Sequence, residues 1–193
     1  NEIAQSEACT GKTYAKYWMH NNMLTIKSEK MSKSLGNFTS NRDFIETYGA
    51  ETLKFLILSG HYRSTIDFSD QSINESQAAL HRFYTCVKKC EKISKEEIST
   101  QSAPSSEENL LLLMGEEFEE KMTDSLCEDF NTAKLFGQIF EYVRALNGYL
   151  DKKNFKANNN TARIAQTFLG HQKTFSKILA LFGEPTGTFL AQL

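Results

Sequence analysis

Residues 23–37 read Met-Leu-Thr-Ile-Lys-Ser-Glu-Lys-Met-Ser-Lys-Ser-Leu-Gly-Asn. The first five alternate and include the β-branched Thr25 and Ile26, which predicts a short strand from Met23 to Lys27 with a tight turn at Ser28-Glu29. A loop rich in Lys and Ser then hangs from the strand end and leaves through Gly36-Asn37. Lys30 and Lys33, three apart in such a loop, can set two compact ammonium charges on the phosphates of one ligand. Ser32 and Ser34 add hydroxyl donors, and Gly36 permits a sharp exit.

Downstream the apolar period becomes helical. Thr39 or Ser40 can cap a helix carrying Phe44, Ile45 and Tyr48 and ended by Gly49; a second, from about Ala50 to Ser59, is expected to bury Leu53, Leu56 and Ile57 and to stop at Gly60. Residues 61–68 read as irregular or extended. Ser69, with Asp70 in the first turn, opens a long helix to about Ser94 whose stripe is Ile73, Leu80, Phe83, Val87 and Cys90.

Residues 94–109 are polar, hold one of the two prolines and show no apolar period, which predicts a surface linker. Three more stripes follow: Leu111, Met114, Phe118 and Met122; then Phe136, Ile139, Phe140, Val143, Leu146 and Leu150; then Ile164, Phe168, Phe175, Ile178, Leu179 and Phe182. Asp129 or Asn131 can cap the second, Asn158-Asn159-Asn160 leads into the third, and Gly183 with Pro185 is expected to end it. With the 70–94 helix these make an antiparallel bundle of about four helices around an aromatic core.

Composition agrees with a mostly α fold. In 193 residues, 2 Pro and 10 Gly leave too little turn punctuation for a sandwich or barrel of short strands. No run approaches the roughly 18 consecutive apolar residues of a membrane span, and Asn1 to Cys9 are polar, so membrane and secretory classes drop out. Cys9, Cys86, Cys90 and Cys127 form no CxxC pair and read as reduced structural thiols.

The net charge of −2 conceals an asymmetry. Lys12, Lys16, Lys27, Lys30, Lys33 and Arg42 face Glu29 alone in residues 8–42, so this end suits an anion, either nucleotide phosphate or a nucleic-acid backbone. Residues 91–129 set twelve acids against three bases, which argues against nucleic acid lying along that segment.

Lys30-Met31-Ser32-Lys33-Ser34 resembles the KMSKS loop of the class I aminoacyl-tRNA synthetases. The longer strings Asn1 to Ser6 (NEIAQS), Tyr17 to His20 (YWMH), Glu29 to Phe38 (EKMSKSLGNF), Ser59 to Ser64 (SGHYRS) and Asp129 to Ala133 (DFNTA) resemble, in order and context, the cysteinyl-tRNA synthetase family. The resemblance implies that residues 1–68 end a Rossmann-type catalytic domain, with the KMSKS loop and the fold that touches the tRNA acceptor stem. Residues 69–193 would form a helical bundle of the tRNA-binding DALR type, with the polar linker near 94–109. It further implies a fragment that lacks the N-terminal part of the catalytic domain and the C-terminal anticodon-reading domain, and that is inactive by itself.

The activity so implied is ATP-dependent activation of L-cysteine and its transfer to tRNA(Cys), with ATP and Mg2+ as substrate, in a cytoplasmic monomer. Lys33 would hold the β and γ phosphates as pyrophosphate departs, Lys30 would anchor the loop and assist, and Met31, Ser32 and Ser34 complete the ATP contact. Glu2 corresponds to the family's zinc-ligating Glu before Ile-Ala-Gln; the other ligands, two Cys and one His, would lie upstream of Asn1. Arg63 would meet tRNA phosphate, against the alternative of a structural pairing with Asp67. Trp18 and His20 could border the adenylate pocket or be packed core. Asn22 stands where the family pattern leads one to expect Gly.

Two other functions stay open. One is the related ligase that passes cysteinyl adenylate to an amino sugar in mycothiol synthesis, and the other is a free-standing, non-catalytic tRNA-binding module.

Overall fold

The computed structural model describes residues 1–26, 29, 30, 40–98 and 100–192, with the backbone alone at Glu29, Lys30 and Gln192. Met31, Ser32, Lys33, Ser34, the Ser28 turn and Gly36 therefore lie outside the described residues, as does the side chain of Lys30.

The chain opens with α1 (Glu2–Thr10), which the sequence reading did not anticipate. It has no apolar stripe and buries nothing; Gly11, at φ 64, ends it by returning its N–H to Glu7 O at 2.8 Å. The expected strand forms as β1 (Leu24–Ile26), and β2 (Glu29–Lys30) folds back on it antiparallel. A third strand, β3 (Ile66–Asp67), joins the other edge of β1 in parallel, with Leu24 opposite Ile66. Part of the segment expected to be irregular or extended thus closes a three-stranded sheet, and Thr25 Oγ1 donates to Asp67 Oδ1 at 2.7 Å to fix the parallel pair.

Between β2 and β3 lie α2 (Asn41–Tyr48) and α3 (Ala50–Ser59). Ser40 caps α2 by accepting the Asp43 N–H at 3.2 Å. Phe44, Leu53, Leu56 and Ile73 form a small core. Leu53 and Leu56 are buried as expected, whereas Ile57 is 40% exposed and the inward residue is Phe55. α3 is apolar nearly all round, so its sequence does not choose a face; the stacking of Phe55 on Phe136, 4.9 Å and 5° apart, chooses it.

α4 (Asp70–Lys95) starts from a Ser69–Ser72 capping box and buries Ile73, Leu80, Phe83, Val87 and Cys90, the expected stripe. α5 (Ser106–Cys127) starts from a second box, Ser105 with Glu108, so the polar segment is shorter than expected. It is also pinned: Thr100 O accepts the Asn159 N–H at 3.1 Å, and Ser102 exchanges hydrogen bonds with Asn159 and Asn160.

Asn131 caps α6 (Thr132–Leu150), and Asn158 caps α7 (Asn159–Leu179) by accepting from Asn160 and Thr161. α7 ends sooner than expected, because Ala180 turns left-handed at φ 50 and Phe182 folds back into the core instead of continuing the stripe. A short α8 (Thr186–Gln192) follows, another element its sequence did not signal. All four cysteines are free, Cys86 and Cys90 being buried.

Side-chain contacts give the helix directions. Arg82 and Lys89 of α4 meet Asn147 and Asp151 at successive levels, so α4 and α6 run parallel. Glu108 reaches Tyr149 while Ser125 reaches Gln138, so α5 and α6 run antiparallel. Successive helices thus reverse direction, as an antiparallel bundle requires, while the neighbours in space are α4 with α7 and α6, and α5 with α6 and α7. Phe83, Phe168, Phe175 and Phe182 fill the middle, each fully buried side chain contributing about 1.5–3 kcal/mol. No helix among the described residues is long and apolar enough to cross a membrane.

Candidate functional site

The sheet fixes the backbone of Lys30, where the lysine-rich string begins. Thr25 stands opposite Lys30, the last residue of the edge strand β2, so the loop leaves from a strand end held on its inner side by β1 and, through Thr25 and Asp67, by β3. It returns at the Ser40 cap of α2. Lys30 is therefore fixed at the backbone, whereas Lys33 and the loop serines lie outside the described residues.

Glu2 sits in the exposed first turn of α1. Its carboxyl is held below the usual range, first by its own backbone N–H, then by the Asn1 amine at 3.2 Å, with a smaller contribution from His20. Among the described residues no three His, Cys, Asp or Glu side chains gather as a metal group. An exposed ionised carboxylate fits the part of one oxygen ligand to zinc, and the described residues supply no tetrahedral set. Trp18 is 41% exposed and forms a ladder with Tyr14 and His20, with centroids 5.7 and 6.3 Å apart, so it is not packed core.

The third feature joins the sheet end to the bundle. Arg63 Nε lies 2.8 Å from Asp129 Oδ2, Tyr62 donates its hydroxyl to Asp129 Oδ1 at 2.7 Å, and His61 Nε2 is 3.9 Å from the same carboxylate. Arg63 therefore pairs with Asp129, 66 positions away, and not with the nearby Asp67 of the sequence-based alternative. Asp129 and Phe130 both have positive φ, 54 and 53, in the sharp α5–α6 turn that presents the acid. Tyr62 and then Arg63 lower the Asp129 carboxyl, and the Arg63 guanidinium is raised, first by its hydrogen bond with Tyr62 and then by Asp129.

Asn22 completes the joint. Its amide nitrogen donates to Arg63 O at 2.9 Å, its side-chain oxygen accepts the Met23 N–H, and its own N–H reaches Tyr62 O at 3.0 Å. Sequence reasoning flagged Asn22 only as a departure from the family pattern, and Asp129 only as a cap and as the start of the DFNTA string. Beside this joint opens an apolar cleft of about 690 Å³ lined by Met19, Leu24, Ile57, Tyr62, Phe130 and Ile178.

A lysine-rich string that starts at a strand end, two helices between the parallel strands, and a polar joint onto a helical bundle are consistent with the class I aminoacyl-tRNA synthetases that the sequence resembles. Residues 1–78 match the family model of the tRNA synthetases class I (C) catalytic domain, and residues 117–183 match that of the DALR domain. Cysteine–tRNA ligase of Thermodesulfovibrio yellowstonii is 46% identical over 155 residues, 79% of this chain and 31% of the relative. Those of Bdellovibrio bacteriovorus and Desulfovibrio desulfuricans are 37% and 39% identical across 100% of this chain, which is 39% of each relative. The chain belongs to the cysteinyl-tRNA synthetase family. It spans about two-fifths of the length of the curated relatives it matches end to end.

Proposed function

We propose that the protein carrying this chain is a cytoplasmic, monomeric cysteine–tRNA ligase that consumes ATP with Mg2+, and that this segment supplies its phosphate-binding loop and part of its tRNA surface. The observation that carries the reading is the Thr25–Lys30 register, which sets Lys30, the first residue of the string Lys30-Met31-Ser32-Lys33-Ser34, at the edge of the sheet, in a chain whose relatives are cysteine–tRNA ligases.

In the first step a carboxylate oxygen of cysteine attacks the α phosphorus of ATP. The bond from that phosphorus to the bridging oxygen breaks, and its electron pair leaves on pyrophosphate. Charge grows on the β and γ phosphates as this happens. Lys33, with Lys30 assisting from the strand end and Ser32 and Ser34 donating hydroxyls, stabilises that charge more than the ground state. In the second step the 2′ or 3′ hydroxyl of the tRNA end attacks the cysteinyl carbonyl, loses its proton, and AMP departs.

Zinc, with Glu2 as one ligand, would supply a site that binds a thiolate tightly and a serine hydroxyl poorly. Arg63, oriented by Asp129 through Nε and Nη2, offers Nη1 to phosphate of the acceptor stem.

The test is cysteine-dependent pyrophosphate exchange by the full-length protein. Lys33→Ala is expected to lower the exchange rate at least tenfold, the typical loss of one transition-state contact; an unchanged rate would sink the role. Charging of tRNA with cysteine separates this function from transfer to an amino sugar, which transfers none to tRNA.

A further inference from the structure

The hinge between α2 and α3 opens onto a cavity of about 410 Å³. Its walls are the last turn of α2, the first turn of α3, Gln77 of α4, Glu184 of the α7–α8 turn and Phe189 of α8. Three of the lining residues are acids, Glu46, Glu51 and Glu184, and none is a base. Glu46 and Glu184 make no ion pair among the described residues.

Glu51 is only 4% exposed. Burial raises its carboxyl, and the like charge of Glu184 raises it further, against the donors Phe182 and Tyr84. Lys54 stands 4.0 Å from Glu51 Oε1 but gives its hydrogen bond to Ala180 O at 2.8 Å. The C-terminal end of α2 and the N-terminal end of α3 meet here with opposite partial charges, so the carboxylates set the sign of the cavity.

Thr52 supplies an independent sign of a ligand. It lines the same cavity and is 1% exposed, yet its hydroxyl makes no hydrogen bond among the described residues. Other hydroxyls of these helices return to the carbonyl one turn back: Thr47 to Asp43, Ser76 to Ser72 and Ser125 to Lys121, at 2.7–2.8 Å. For Thr52 that carbonyl belongs to Tyr48, across the break at Gly49, where φ is 85. Nor is the hydroxyl sealed in protein without a partner, a state that among the described residues only Tyr142 Oη holds. Its open side is therefore the cavity.

We propose that this cavity binds a linear aliphatic polyamine, with Glu46, Glu51 and Glu184 taking its ammonium groups and the Thr52 hydroxyl accepting one N–H. Among the described residues no three His, Cys, Asp or Glu side chains gather as a metal group, so these carboxylates suit charges spread along a chain better than one compact ion. Tyr48 and Phe189 add aromatic surface, which attracts ammonium and accommodates methylene spacers. The volume falls within the range of small-molecule sites, roughly 300–1,000 Å³. Nothing in this assignment draws on ATP, cysteine or tRNA, so it stands or falls apart from the ligase function.

The test is calorimetric titration of the full-length protein with spermidine, without tRNA or ATP, alongside thermal melting. Saturable binding of about one equivalent is expected, weakening as salt rises. E46Q/E184Q should weaken it about tenfold or more, because two charge-assisted hydrogen bonds are lost. T52V removes only the hydroxyl. Since that group bonds nothing in the protein, the melting temperature without ligand should hold or rise, while spermidine affinity falls about threefold or more.

No saturable binding by the wild-type protein overturns the site. So does binding that E46Q/E184Q leaves unchanged, which would put spermidine on the acidic face of α5. If that variant melts early, E46Q alone is read, since Glu46 is exposed, with a loss of about threefold or more expected. Unchanged affinity in T52V, whatever its melting temperature, overturns the assignment of the hydroxyl to the ligand. Displacement of spermidine by an equal concentration of Mg2+ would overturn the polyamine in favour of a metal ion.

Discussion

Glu51 and Phe182 are 131 positions apart, yet Oε2 of the first accepts the backbone N–H of the second at 2.8 Å. The same oxygen takes the Tyr84 hydroxyl at 2.8 Å, and that hydroxyl accepts the Glu184 N–H at 3.2 Å. Lys54 donates to Ala180 O at 2.8 Å. Side chains of α3 and α4 thus satisfy the polar backbone of the α7–α8 turn, in which Ala180 and Phe182 hold left-handed backbones that each cost roughly 1–2 kcal/mol. Phe182, fully buried and stacked on Phe83 at 3.9 Å, offsets that strain.

Removing the carboxylate should therefore be expensive. Glu51→Leu leaves the Phe182 N–H and the Tyr84 hydroxyl buried without an acceptor, at about 1–3 kcal/mol each. Glu51→Gln keeps an oxygen for both donors and should cost much less. Burial is the largest influence on the Glu51 carboxyl and raises it from 4.5 despite the donors. An acid raised on folding contributes stability that is fully present below its ordinary value and declines as pH climbs through the raised one. The stability gap between wild type and Glu51→Gln, measured by urea titration, should shrink between pH 4 and pH 7. A gap independent of pH would contradict the assignment.

Gly115 on α5 makes a steric prediction. A methyl there would lie 2.8 Å from Thr167 Cγ2 and 3.0 Å from the Tyr142 hydroxyl, on helices packed from both sides. Alanine gains about 1 kcal/mol in helix propensity but overpacks the contact, and Thr167 is β-branched and stiff, so the balance should be a net loss of about 1–2 kcal/mol. Thr167→Ser deletes the clashing methyl. Gly115→Ala in that background should recover most of the loss, and a double-mutant cycle of denaturant midpoints reads it directly. Additive effects would mean that the backbone, not Thr167, resists the substitution.

The elements legible in the sequence were those whose burial repeats locally. Ile73, Leu80, Phe83, Val87 and Cys90 lie one or two helical turns apart and are all buried, so α4 could be read from period alone. α1 buries nothing, and α8 is seven residues long with one inward aromatic, Phe189, so neither carries a period. β3 is two residues that become a strand only because β1 lies beside them in space. Phe182 kept the spacing of α7 but is placed by contacts with Phe83 and Glu51 on other helices.

The site divides in the same way. The strand end that carries Lys30 was visible as a contiguous string, while Met31 to Ser34 lie outside the described residues. The acid that meets Arg63 was not, because proximity in sequence favoured Asp67 and the turn that presents Asp129 needs left-handed backbone at two non-glycine residues.

That pairing makes the last prediction. The Asp129 carboxyl is held below 3.8, first by the Tyr62 hydroxyl and then by Arg63. An acid lowered on folding contributes stability that is present above its ordinary value and lost as pH falls through the lowered one, so Asp129→Asn should flatten the acid limb of the stability curve below about pH 4. For RNA binding the two residues should act differently. Nε and Nη2 of Arg63 both face Asp129, at 2.8 and 3.4 Å, and the side chain remains 61% exposed, which leaves Nη1 to meet phosphate. Arg63→Ala removes a cation and should weaken tRNA binding by the full-length protein several-fold, with a salt slope shallower by about one. Asp129→Asn keeps the cation and removes only its orientation, so it should weaken binding less and leave the slope unchanged, with cysteine-dependent pyrophosphate exchange unaffected in both. A slope that falls equally in the two variants would show that Asp129 does more than aim Arg63.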